Sequence, residues 1–121
     1  MKKRTKEFFR GCLLGGAIGD ALGWPVEFKR FSEIEMAYGS MGIRDLVISS
    51  MGRAEITDDT QMTLFTAEGI LRAYASAKQE APENALVQVF EAYQRWLKTQ
   101  GGGHGGRFDL HKSEGLLSIK A

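Results

Sequence analysis

Glycines at positions 11, 15, 19 and 23 recur every four residues in a segment that otherwise reads as a helix. Each step of four drifts only about 40° round a helix, so these glycines form one slowly turning stripe. Glycine costs about 1 kcal/mol against alanine at a helix-interior position, so a helix carrying several needs compensation. Close backbone approach by another element would supply it, and the stripe therefore predicts a buried, central helix from about Lys6 to Leu22. Phe8, Phe9, Cys12, Leu13 and Ala17 give that helix its apolar face. Trp24-Pro25 is expected to end it, because the residue before a proline avoids the α region.

Downstream, a short helical turn is expected over Ser32 to Ala37. The stretch from Tyr38 to Ile56 reads as loop, with turn glycines at 39, 42 and 52 and a short extended piece at Leu46-Val47-Ile48. A second long helix begins around Thr57-Asp58-Asp59-Thr60, with Met62, Phe65, Ala67, Ile70, Ala73, Tyr74 and Ala77 at helical spacing. Asp58 with Gln61 three residues on resembles a capping box. A third helix is expected from Pro82, with Leu86, Val89, Phe90, Tyr93, Trp96 and Leu97 as its stripe and Gly101 as its stop. Residues 101–121 show no sustained period and read as a flexible loop or tail. There are no internal repeats and no strong strands, so the class is all-α, about three long helices plus loops.

The chain has 121 residues, the size of a single domain. Sixteen Lys and Arg against fifteen Asp and Glu leave a formal charge of +1, which gives no electrostatic reason to expect nucleic acid. The single cysteine, Cys12, excludes an intrachain disulfide and a Cys-cluster zinc site, in keeping with a reducing compartment. Arg10 and Asp20 bracket an apolar stretch too short and glycine-rich for a signal peptide, and a membrane helix needs about 20 apolar residues. Cytoplasm is the expected location, with no membrane partner. Gly101, Gly103 and Gly106 match G-x-G-x-x-G, but no strand precedes them, so the reading is a loop and no dinucleotide cofactor. His104 and His111, in the same stretch, read as solvated loop histidines.

The acids carry more information. Asp58 and Asp59, flanked by Thr57 and Thr60, stand at a helix start with no basic residue within four positions. Acids there are routine caps. Adjacent carboxylates with threonine oxygens are also hard ligands that suit Mg²⁺ or Mn²⁺. Spacing alone leaves both readings open. Asp20 lies inside the Gly-rich apolar helix, where an unpaired buried carboxylate is costly, so it needs a partner. Glu27 follows Pro25 where helix gives way to loop; it is either a surface charge or a carboxylate placed for acid–base work.

Two runs together, Gly15-Gly16-Ala17-Ile18-Gly19-Asp20-Ala21-Leu22-Gly23-Trp24-Pro25-Val26-Glu27-Phe28 and Ile56-Thr57-Asp58-Asp59-Thr60-Gln61-Met62-Thr63-Leu64, resemble the N-terminal part of the ADP-ribosylglycohydrolase family, which includes dinitrogenase-reductase-activating glycohydrolase. The resemblance covers roughly residues 6 to 100. It implies an all-α orthogonal helical bundle, here incomplete, with paired Mg²⁺ ions (Mn²⁺ in some members) in a central cleft. It implies hydrolysis of the glycosidic bond joining ADP-ribose to a protein side chain or small molecule. By the same resemblance Thr57, Asp58 and Asp59 are metal ligands. Glu27 is the loop carboxylate near the ribose, acting on the nucleophilic water or as a movable gate, and Asp20 is an acid that orients this neighbourhood.

The sequence departs from the family pattern after the first motif. Family members are longer, with a second acidic metal-binding motif near the C-terminus and a glycine-containing phosphate-binding loop; here Asp109 is the sole aspartate beyond Asp59. Residues 1–121 are therefore expected to form the N-terminal part of one such domain, inactive as this chain alone. Self-association, or pairing with a complementing C-terminal half, is expected to cover its apolar faces. The alternative is a non-catalytic metal- or ligand-binding module derived from the family.

Overall fold

The computed structural model describes residues 5–76 and 84–101. Four α-helices occur among them: α1 (Lys6–Gly23), α2 (Phe31–Tyr38), α3 (Asp58–Ser76) and α4 (Ala85–Thr99). No strand accompanies them among the described residues; one isolated bridge joins Ile48 to Ala54. The fold is all-α. The chain divides into two compact units, Met1–Thr60 and Gln61–Ala121. Pro82, His104, Asp109, His111 and the glycines after Gly101 lie outside the described residues.

In the first unit, α1 starts from an extended Thr5 and runs one residue past the expected Leu22. Proline does not break the helical path here. Trp24 keeps α dihedrals (φ −55, ψ −35) and Pro25 sits in a single 3-10 turn, Trp24–Val26. Proline lacks the N–H that an α-ladder would use, so the ladder tightens: the Glu27 N–H donates to the Trp24 carbonyl at 3.3 Å. Then α2 is opened by Glu33, whose carboxylate accepts the Arg30 N–H at 2.7 Å, and closed by Gly39 at φ 76. A tight return follows, in which Ser49 N–H donates to the Arg53 carbonyl at 2.9 Å around Gly52 at φ 74. Positive φ is open to glycine at little cost, which is why this loop turns where it does.

The expected burial of the glycine stripe is not what the structure shows. Gly11, Gly15, Gly16 and Gly19 are exposed, and a Cβ built on any of them or on Gly23 meets no other group within 4 Å. Only Ala21 of α1 is buried, while Phe9, Leu14 and Ile18 are exposed.

Close approach occurs instead in the second unit. A Cβ on Gly69 of α3 would lie 2.7 Å from the Val89 Cα and 2.8 Å from the Gln88 carbonyl oxygen of α4. Phe65, Ala73 and Ala92 are buried in the same unit. Polar pairs flank this contact: the Trp96 indole donates to Gln61 Oε1 at 2.9 Å, and the Thr66 and Tyr93 hydroxyls pair at 2.6 Å. Glu68 and Arg95, each 4% exposed, form an ion pair at 3.6 Å, and Arg72 donates to the other Glu68 oxygen at 3.0 Å. Removing one member of a buried pair strands the other charge, so this cluster specifies how α3 and α4 pair.

Two glycine-to-alanine substitutions should therefore act in opposite directions. Gly69→Ala forces a methyl into α4 backbone and should destabilise by about 1–3 kcal/mol, even after its gain in helix propensity. Gly19→Ala meets open space and should stabilise by up to about 1 kcal/mol. Urea midpoints of the two variants against wild type check both signs.

Candidate functional site

The site is built where α1 meets the head of α3, inside the first unit. Thr57 immediately precedes the first residue of α3 and occupies its N-cap position. Its hydroxyl accepts the Asp59 N–H at 3.3 Å, satisfying one of the donors a helix start leaves open. Two more backbone donors of this helix start, the Thr57 and Thr60 N–H groups, go to Asp20. Asp20 Oδ2 accepts the Thr57 N–H at 2.8 Å, the Thr60 N–H at 3.2 Å and the Thr60 hydroxyl at 2.5 Å, while Oδ1 accepts the Thr57 hydroxyl at 2.7 Å.

This corrects the expected capping box. In such a box a side chain at the third helical position reaches back to the N-cap N–H. Here that position is Thr60, a donor, and a carboxylate 37 residues upstream takes the N-cap N–H instead. Gln61 is engaged elsewhere, accepting from Trp96 and from Gln100 Nε2 at 3.1 Å. Thr60, expected only as a flank of the acids, is buried (7% exposed) and supplies two of the four bonds to Asp20. Its signal was available: a threonine at the third helical position beside a threonine N-cap, with an unpaired aspartate to satisfy.

Partial desolvation raises the pKa of Asp20, but the Thr60 and Thr57 hydroxyls and their two backbone N–H groups together outweigh it and hold the carboxyl below the usual aspartate value. The outward-facing groups are different. Asp58 and Asp59 are exposed on the first turn of α3, where the positive end of the helix dipole offsets their mutual repulsion. Glu27 is exposed at the end of the 3-10 turn that continues α1, seven residues beyond Asp20. Thus the structure joins Asp20, Thr57, Thr60 and Asp59 through hydrogen bonds, and it sets Glu27 on the loop that leaves the same helix.

Thr57, Asp58 and Asp59 offer a hydroxyl and two carboxylates at consecutive positions, all hard oxygen donors of the kind Mg²⁺ and Mn²⁺ prefer. The chemistry of the set fits such an ion; its number makes only part of a shell. No group of three or more His, Cys, Asp or Glu is assembled for a metal among the described residues. No described helix is long and apolar enough to cross a membrane.

The pH dependence of Asp20 follows with a definite sign. Its folded pKa lies below the unfolded value of about 3.9, so its stabilisation is complete above that value and is lost as pH falls through the folded one. Asp20→Asn should cost about 1–3 kcal/mol at neutral pH, the range for hydrogen bonds to a partly solvated charge. Denaturation of both proteins as a function of pH should show the gap closing in acid. A gap independent of pH would mean that the ionised carboxylate is not what holds the head of α3.

An uncharacterized protein of Archaeoglobus fulgidus is 45% identical over 69 residues, covering 54% of this chain. The matched stretch spans 22% of that protein's length. No solved structure matches. The family model of the ADP-ribosylglycohydrolases matches residues 1–119, taking in both the α1 run that ends at Glu27 and the Thr57–Thr60 run at the head of α3. The chain belongs to the ADP-ribosylglycohydrolase family.

Proposed function

We propose that this chain carries the first part of a metal-dependent ADP-ribosyl hydrolase site, cleaving the bond between ADP-ribose and a protein side chain or small molecule. The observation that carries the reading is the Asp20 clamp, which ties the head of α3 to α1 and leaves Asp58 and Asp59 exposed together. In this reading Thr57, Asp58 and Asp59 hold Mg²⁺ or Mn²⁺. When bound, the cation orients ribose hydroxyls and makes water a better nucleophile. Glu27 takes the proton of the attacking water, as carboxylates beside an oxocarbenium-like sugar centre do in glycoside hydrolysis. Its place on a loop, one short turn beyond α1, also suits a group that moves as substrate enters.

Three adjacent donors do not complete an octahedral shell, so turnover is expected to require ligands beyond the described residues. The chain alone then binds metal without hydrolysing substrate, in the cytoplasm, with an ADP-ribosylated protein or small molecule as the substrate of the assembled site. Open faces on α1, where Phe9, Leu14 and Ile18 are exposed, support self-association or docking of a complementing C-terminal half.

Isothermal calorimetry with Mg²⁺ or Mn²⁺ tests the metal. Binding should be present in the wild type and lost in Asp58→Ala and Asp59→Ala; no heat at millimolar metal would leave those acids as helix caps. Turnover of an ADP-ribosyl-arginine substrate by the chain without a partner would overturn the expected inactivity. Sedimentation adds a separate check: concentration-dependent assembly is expected, and a monodisperse, cooperatively melting monomer argues against covered faces.

A further inference from the structure

A hydroxyl has one proton and two lone pairs, and the direction of its proton decides whether it can face a cation. At Thr57 two of these three are committed. The proton goes to Asp20 Oδ1 at 2.7 Å, and one lone pair accepts the Asp59 N–H at 3.3 Å. One lone pair is left. We propose that Asp20 is a positioning residue for the metal site, acting by fixing the polarity of the Thr57 hydroxyl so that a lone pair, and not a proton, faces the cation.

The division of labour within the Asp20 carboxylate makes this specific. Oδ2 receives three donors, the Thr57 and Thr60 N–H groups and the Thr60 hydroxyl, whereas Oδ1 receives the Thr57 hydroxyl. The three donors on Oδ2 would hold the single oxygen of an asparagine at position 20. Its NH₂ group would then face Thr57 and donate to the hydroxyl, turning the hydroxyl proton away toward the position a cation needs. Shape is almost unchanged; polarity is inverted. Partners that orient a metal ligand in this way change affinity by about ten- to a hundredfold when altered. The inference rests on the reading of Thr57, Asp58 and Asp59 as metal ligands.

The test is a Mn²⁺ titration of the full chain, followed by water-proton relaxation, with circular dichroism confirming that each variant is folded. Asp20→Asn should weaken Mn²⁺ binding at least about tenfold. It also removes a charge, so the decisive comparison is the same substitution in a Thr57→Val background. There, with no hydroxyl to turn, Asp20→Asn should have a much smaller effect. An equal effect in both backgrounds would mean that Asp20 acts by charge or packing, and would overturn the positioning role alone. Should Asp20→Asn not fold, Thr60→Val supplies the comparison: it removes a donor to Asp20 but leaves the Thr57 pair intact. Mn²⁺ affinity within about twofold of wild type is expected for it, against about a tenfold loss in Thr57→Val. A loss in Thr60→Val as large as in Thr57→Val would again overturn the proposal. No Mn²⁺ binding by the wild type would instead remove the metal reading itself, and this proposal with it.

Discussion

One carboxylate organises the first unit. Asp20 collects four hydrogen bonds from two threonines that lie 37 and 40 residues downstream. The chain between them makes a 3-10 turn, a two-turn helix and a glycine-punctuated loop, yet must bring its ends together against closure entropy. The return is favourable because it satisfies two needs at once. A helix start carries unpaired N–H groups, and a carboxylate in an apolar helix requires donors. Each end of the loop supplies what the other lacks.

The same bonds sort the acids of this region by task. Asp20 is held inward and below its ordinary pKa by donors that favour the ionised form. Asp58 and Asp59 face outward on the first turn of α3. Since Thr57 shares its hydroxyl between Asp20 and the Asp59 N–H, the inward acid is linked through a single oxygen to the backbone of Asp59. Charges of like sign are thus divided between an inward and an exposed position, with Asp58 and Asp59 on the exposed one.

The second unit depends on a different constraint, the absence of a side chain at Gly69. Backbone of α4 occupies the space that a Cβ would take, and buried alanines 73 and 92 accompany it. Around this contact the Glu68–Arg95 pair and the Thr66–Tyr93 and Gln61–Trp96 bonds admit few alternative alignments of the two helices. Close packing makes such a seam intolerant of added volume. Among the described residues, the glycine with a steric role is therefore an isolated one in α3, while the repeated glycines of α1 stand in open space.

Much of the local structure was legible in the order of residues. Periodic apolar positions marked α1, α3 and the body of α4, and glycines marked the turns, because helix spacing and left-handed dihedrals are decided within a few positions. Thr57, Asp58 and Asp59 could be recognised as hard donors at a helix start for the same reason. Other features could not be read locally. Pro25 does end α1 at Gly23, but through a 3-10 turn and not a break to extended chain; Gln61 looked like a cap, but the Trp96 indole claims it. Which glycine meets backbone, and which donors satisfy Asp20, depend on what tertiary folding brings alongside. The sequence by itself determined an all-α chain with an acidic helix start. Only the tertiary structure decided that Asp20 would cap that helix, because a carboxylate does not encode its donors until the chain has closed around it.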